Sequence, residues 1–213
     1  ASGFPEQVGM AYEYDIFISY RRTPEALSWI TDHFQPLLSH RVGLELDREP
    51  EIYVDELVES GTSWPAELAK ALGKSRVLIV LWTGNYLASV WCTEELSHML
   101  ARERHAKLRT VNKPHGLVIP AFIHDGERFP LDLRDIQHFE IQKCFNVRMA
   151  RNSPRAEELD EALAREAPAI AACIRNAPNW RKTWPREAAL AFFGQFHQQA
   201  EALQKTVPRF TKK

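Results

Sequence analysis

One acidic side chain stands apart once helical geometry is laid on the segment Ser89-Val90-Trp91-Cys92-Thr93-Glu94-Glu95-Leu96. Residues four apart share a helix face, which sets Trp91 beside Glu95. Cys92, Leu96 and Met99 make the adjacent stripe, the one that belongs against a sheet. Glu95 therefore falls at the border of the core, partly shielded by an indole. A carboxylate in that position has a raised pKa, or presents concentrated negative charge to a developing cation. The spacing is equally that of a solvated glutamate beside a boundary tryptophan, the commoner arrangement, and both readings stand at this level.

The elements that would hold such a group are legible from the apolar pattern. Tyr14 to Tyr20 is β-branched and aromatic and reads as a buried strand. Thr23-Pro24-Glu25 then opens a helix with a capping hydroxyl, a proline in the first turn and an acid at the positive end of the dipole. Leu27, Ile30, Phe34, Leu37 and Leu38 continue that helix, and Pro36 predicts a kink in it. Glu51 to Asp55 reads as a short strand, Glu56 to Trp64 as a loop, and Pro65 as the start of a helix that ends at Gly73-Lys74-Ser75. Val77 to Trp82 is apolar on both faces, as in the centre of a parallel sheet covered by helices. A helix from Trp91 to Glu103 follows, then a buried strand from Leu117 to Ile123, which Pro120 places near an edge or a bulge. His138 to Ile141 is a last short strand.

From Ser153 onward the pattern is helical. One stripe runs through Leu159, Leu163, Ile170 and Ile174, with Pro168 expected to interrupt it. A second runs from Pro185 through Ala189, Phe193, Phe196, Ala200 and Leu203. These stripes are expected to pack on the local core rather than serve as a docking face. Residues 1–11 lack periodicity and read as an N-terminal arm or a remnant ahead of Met10. Strands alternating with helices imply right-handed β-α-β units and a parallel sheet. Ligands of such sheets bind beyond the carboxyl ends of the strands, here the loops after Tyr20, Asp55, Trp82 and Ile123.

Bulk composition narrows the function classes. The chain has 213 residues, 45% hydrophobic and 26% charged, an ordinary globular mix. Lys and Arg number 27 against 28 Asp and Glu, so direct nucleic-acid binding is not expected. No apolar run approaches the roughly 20 residues that span a bilayer, and no secretion signal opens the chain, so no membrane association is expected. Three cysteines without a Cys-x-x-Cys pair exclude a disulfide framework and a zinc ribbon, which points to a reducing, cytoplasmic setting and no metal. Ser19-Tyr20-Arg21-Arg22 stands where a dinucleotide-binding fold carries its glycine fingerprint. Gly73-Lys74-Ser75 has Leu68 where a phosphate loop needs glycine, and a strand follows where a helix is required. A phospho-acceptor receiver would need an aspartate at Trp82 or Thr83, and neither a His-Glu-x-x-His nor a Gly-x-Ser-x-Gly occurs.

Three ordered segments together resemble TIR (Toll/interleukin-1 receptor) domains. Tyr14-Asp15-Ile16-Phe17-Ile18-Ser19-Tyr20-Arg21-Arg22 is similar to the first signature box of the family. Asp55, Gly61 and Trp64 match the loop between the second strand and the second helix. Ser75 to Leu81, then Tyr86, Ser89 and Trp91-Cys92-Thr93-Glu94-Glu95-Leu96, match the third strand and third helix of bacterial and plant members. The resemblance covers Tyr12 to Ile141. It implies a flavodoxin-like five-stranded parallel sheet flanked by helices over residues 12–152, with residues 153–213 as a C-terminal helical extension.

The resemblance also implies an activity. TIR domains are either adaptors that only assemble or enzymes that consume NAD, and the enzymes carry a glutamate in a Trp-x-x-x-Glu arrangement, here Trp91 and Glu95. By that resemblance Glu95 is the catalytic residue of an NADase or ADP-ribosyl cyclase of the bacterial type. Arg21 and Arg22 are placed to meet the pyrophosphate, although an exposed basic turn has the same composition. Ser19 and Tyr20 line the pocket, and Trp91 shapes its nicotinamide-ribose side. Asp55, Gly61 and Trp64 belong to a loop that completes a neighbour's site, so self-association is expected. NAD enters as substrate with no further cofactor, in anti-phage defence signalling, with a downstream effector that senses the nucleotide product as a partner. A non-enzymatic TIR scaffold, or a flavodoxin-like domain of another kind, are the competing readings.

Overall fold

The computed structural model describes residues 11–56 and 66–206. Gly61 and Trp64 lie outside the described residues. Five parallel strands form one sheet: β1 (Tyr14–Tyr20), β2 (Ile52–Val54), β3 (Ser75–Trp82), β4 (Val118–Phe122) and β5 (Phe139–Glu140), in the order β2-β1-β3-β4-β5. Among the described residues, six α-helices flank it: α1 (Pro24–Trp29), α2 (Gln35–Leu46), α3 (Ala66–Gly73), α4 (Val90–His105), α5 (Pro154–Arg175) and α6 (Arg186–Thr206).

Strand alternation divides the core in two. Ile16, Ile18, Val77, Ile79 and Leu81 face one side, where Trp29, Phe34, Leu38 and the Leu159–Leu163–Ile170 stripe of α5 cover them. Phe17, Leu78, Val80 and Trp82 face the other side, against Leu72 of α3, Cys92, Leu96 and Met99 of α4, and Phe196 of α6. Both C-terminal helices therefore bury their stripes in the same core as the sheet, one on each face, as local packing of the tail requires. The second stripe differs at Phe193, and the Leu203 side chain lies outside the described ones. Ala189, Phe192, Phe196 and Ala200 are the buried residues, and Phe193 is half-buried, stacked on His197. A 100° step leaves positions 192 and 193 about equally close to the 189–196 line, and contact with α4, whose Arg104 guanidinium lies 4.4 Å from the Phe192 ring centroid, is what buries Phe192.

Thr23 caps α1 as expected: its backbone is extended and its hydroxyl accepts from the Ala26 N–H at 3.1 Å. Replacing Thr23 with Ala is expected to cost about 1 kcal/mol in a urea titration, because that N–H loses its acceptor. Three proline expectations meet different outcomes. Ahead of Pro36 the chain widens into a π-helical turn, Ile30–Phe34, and α2 restarts with the proline in its first turn, where a missing N–H costs nothing. Pro168 does not interrupt α5, which continues through it. It sits on the exposed face, where water can satisfy the carbonyl that its ring displaces.

Pro120 stands in the middle of β4, the fourth strand of five. The ladder explains its tolerance. Leu117 C=O accepts from Leu78 and Ile123 N–H donates to Trp82, so odd-numbered residues of this segment face β3. Phe122 C=O accepts from Ile141 N–H, so even-numbered residues face β5. Pairing with β5 begins only at Ala121. The missing N–H of Pro120 thus points to a side where no strand has yet begun. One step earlier, Val118 N–H donates to Glu103 at 3.2 Å and Val118 C=O accepts from Arg109 at 2.5 Å, and these two side chains pair with each other.

Candidate active site

The carboxyl ends of β1 and β3 and the first turns of α4 converge on Glu95. Ser89 caps α4, its hydroxyl accepting from Cys92 N–H at 3.2 Å, and this sets the angular phase of every residue that follows. Cys92, Leu96 and Met99 lock that phase by packing on the sheet, and Glu95 is carried inward with them. Its side chain has no solvent exposure. This is deeper than the border position that the spacing suggests, because Ser19 of β1, Arg22 after it and Tyr86 after β3 close around it, contacts that helical periodicity does not reveal. Trp91 is buried as well.

Each carboxylate oxygen of Glu95 has a partner. Ser19, the penultimate residue of β1, donates its hydroxyl to Oε2. Ser19 Oγ in turn lies 2.5 Å from the Tyr86 hydroxyl, so a proton-donating chain runs from Tyr86 through Ser19 to Glu95. Arg22 donates from one terminal nitrogen to Oε1 at 2.7 Å and from Nε to Asp55 Oδ2 at 2.7 Å. The guanidinium lies 5.0 Å from the Trp91 ring centroid and 5.7 Å from that of Tyr20. Tyr20 closes the circuit by donating its hydroxyl to the Asp55 carbonyl at 2.6 Å.

Of the residues expected in the site, Ser19, Tyr20, Arg22, Trp91 and Glu95 are thus brought together. Asp55, expected in a loop toward a neighbouring subunit, is buried and belongs to the same cluster. Arg21 is half-buried in the turn beside them. Arg22 is neither an exposed basic turn nor presented to solvent for a phosphate: its side chain is 3% exposed and bridges two carboxylates. Tyr86 was legible only as a motif position, and its hydroxyl's link to Ser19 carries no local signal. Among the described residues, no three His, Cys, Asp or Glu side chains are grouped to hold a metal ion.

Burial dominates the electrostatics. It raises the Glu95 carboxyl above its ordinary value, with the Arg22 charge and the Ser19 hydrogen bond opposing it. Burial likewise raises the Tyr86 and Tyr20 phenols, so both remain protonated donors. Arg22 is held above its ordinary value: burial works against its charge, and the Glu95 and Asp55 carboxylates more than offset it. A carboxyl that binds its proton more tightly folded than unfolded contributes stability below its unfolded pKa, and that contribution is lost as pH rises through the folded value. The melting temperature is therefore expected to carry a downward step with rising pH, above the ordinary glutamate pKa of about 4.3. Glu95→Gln should remove that step; an unchanged pH profile in the variant would assign it to another group.

Comparisons with known proteins bear on the family. Residues 16–151 match the family model described as TIR domain. The chain is 30% identical over 179 residues to Protein SUPPRESSOR OF npr1-1, CONSTITUTIVE 1 of Arabidopsis thaliana, covering 83% of this chain and 10% of that protein. It is 32% identical over 85 residues to TMV resistance protein N of Nicotiana glutinosa, covering 40% of this chain and 7% of that protein. The chain thus spans a tenth or less of these relatives' length. Among solved structures, the TIR domains of the activated Roq1 resistosome, which directly recognizes the pathogen effector XopQ, align at 26% identity with a TM-score of 0.36, covering 73% of this chain and 84% of that one. No helix among the described residues is long and apolar enough to cross a membrane. The family match takes in β1 from Ile16, the other four strands whole, and Ser19, Arg22, Asp55 and Glu95, and on that match the chain belongs to the TIR-domain family.

Proposed function

We propose that this TIR domain cleaves the nicotinamide-ribose bond of NAD, with Glu95 as its catalytic carboxylate. The observation that carries the reading is a fully buried carboxylate at the carboxyl ends of the central strands, held between a hydroxyl and a guanidinium. Nicotinamide leaves as a neutral group from a cationic one, so the bond needs little acid assistance. The transition state is an oxocarbenium ion, and a carboxylate in a dry pocket stabilises it far more than one in water. Ser19 and Tyr86 fix the carboxylate's orientation at no cost during the reaction.

Arg22 covers Glu95 in the structure. While it pairs with Glu95 it neutralises the charge that catalysis needs. In this reading the pyrophosphate of NAD draws Arg22 off Glu95, Arg21 adds a second phosphate contact, and the carboxylate is released toward the ribose. Trp91, freed of the guanidinium, offers its face to the nicotinamide end. Water attack on the cation gives ADP-ribose; attack by a nitrogen or hydroxyl of the same molecule gives a cyclic isomer. The similarity to plant disease resistance proteins supports a place in immune signalling, and the bacterial relatives implied by the resemblance add anti-phage defence, with a cytoplasmic effector reading the nucleotide.

Assembly is part of the proposal, with the loop of Gly61 and Trp64 completing a neighbour's site. Incubation with NAD across a wide dilution series tests both parts, with nicotinamide followed by chromatography. Nicotinamide release whose specific activity rises with protein concentration is expected, because the competent site forms only in the oligomer. Flat specific activity would remove the assembly requirement. No release at any concentration would leave a TIR scaffold that only assembles.

A further inference from the structure

A cavity of about 700 Å³ lies between α3, α4 and the segment that joins α5 to α6. Its size is within the roughly 300–1,000 Å³ usual for small-molecule sites. Its floor includes Arg102, which bonds to the carbonyls of Leu72 and Ser75 at the amino end of β3. This end of the cavity is therefore at the opposite end of the sheet from Glu95.

Arg102 is a buried cation with an unusual set of partners. One terminal nitrogen donates to Leu72 C=O and Met99 Sδ, the other to Ser75 C=O and the Tyr12 hydroxyl. None of these groups carries a charge. A guanidinium has five N–H donors; four are spent, and the fifth, on Nε, is buried with no partner among the described residues. Arg102 is 1% exposed, and burial holds it below the ordinary guanidinium value. A buried charge without a counter-ion is costly, and it persists where something else supplies the opposite charge.

The rest of the lining has matching chemistry. Lys70, Lys182 and Arg186 add positive charge, against one acid, Glu94, which lies near His98. Trp180 and Trp184 both donate their indole N–H to the Gly73 carbonyl, at 3.1 and 3.3 Å, and so stand as fixed aromatic walls. Trp184 lies over the Arg102 guanidinium at 3.9 Å. Cations suit phosphate, and flat indoles suit a planar ring. We propose that this cavity is a binding site for a phosphate-bearing nucleotide, whose phosphate is held by the exposed Lys182 and Arg186 and balances the buried charge of Arg102 beneath them, and whose base lies against the indoles.

The probe is AMP, with adenosine and inorganic phosphate as its two halves, followed by tryptophan fluorescence and by melting temperature. Saturable quenching by millimolar AMP is expected, with a rise in melting temperature because the ligand binds only the folded chain. The Lys182→Ala/Arg186→Ala variant changes exposed side chains and should fold; its affinity should fall roughly tenfold or more, as for lost charge-assisted contacts. Arg102→Met should abolish the AMP-induced stabilisation, and if it does not fold, the surface variant carries the same test. Arg21→Ala, at the other end of the sheet, should leave AMP binding unchanged. Phosphate alone matching AMP would overturn the nucleotide assignment, and adenosine alone matching AMP would overturn the anion assignment. Binding that is lost in Arg21→Ala and kept in Lys182→Ala/Arg186→Ala would return the ligand to the Glu95 site. Absence of any AMP response would remove the site altogether. None of these readouts depends on NAD cleavage.

Discussion

Glu95→Gln is expected to fold and to lose NAD cleavage by roughly 10²–10³-fold or more, the loss seen when one transition-state stabiliser is removed. The amide is nearly isosteric, can still accept from Ser19, and keeps the α4 stripe on the sheet. What disappears is the negative charge opposite the developing oxocarbenium ion. Single-turnover nicotinamide release, with circular dichroism to verify the fold, measures it. A folded variant with the parent's rate would sink the assignment of Glu95. A folded variant that is inactive and still binds NAD separates the chemical step from substrate affinity.

The second large effect is on stability. Arg22→Ala leaves the Glu95 and Asp55 carboxylates buried, with their shared cation gone. Breaking a buried pair from one side costs about 3–5 kcal/mol, because the remaining charge is uncompensated. The urea midpoint of Arg22→Ala should fall accordingly. Arg22→Lys should recover only part of it, since an ammonium lacks the fork that reaches two carboxylates at once. Adding Glu95→Gln to Arg22→Ala should restore some stability, as one of the two stranded charges is removed. Additive losses in that double variant would show that Arg22 and Glu95 are not energetically coupled.

Much of the fold could be read in advance because its determinants are local. β-branched runs mark β1, β3 and β4, and Thr23-Pro24 marks the start of α1. The Trp91–Glu95 spacing points to the site because helix phase is a local property. The connections that make the site are different in kind. Arg22 reaches Asp55 across 33 positions and Glu95 across 73. No periodicity reports such a bridge, so a basic pair after a strand looks the same whether it is solvated or buried. The choice of Phe192 over Phe193 is a matter of one residue's phase, set by the face of α4 that α6 meets. The continuity of α5 through Pro168 depends on that position facing water, a tertiary fact.

The polar clasp at Val118 has a consequence for how copies of this chain can meet. An open strand edge recruits another strand by offering alternating N–H and C=O groups. Along the outer side of β4, before β5 begins, Glu103 already occupies the amide of Val118 and Arg109 its carbonyl, and Pro120 has no amide to offer. A carboxylate and a guanidinium thus imitate the missing neighbour and leave an incoming backbone nothing to pair with. Strand addition is blocked along this stretch of β4, so a contact on this side of the sheet has to run through helices and loops, where side chains rather than a repeating backbone decide which partner fits.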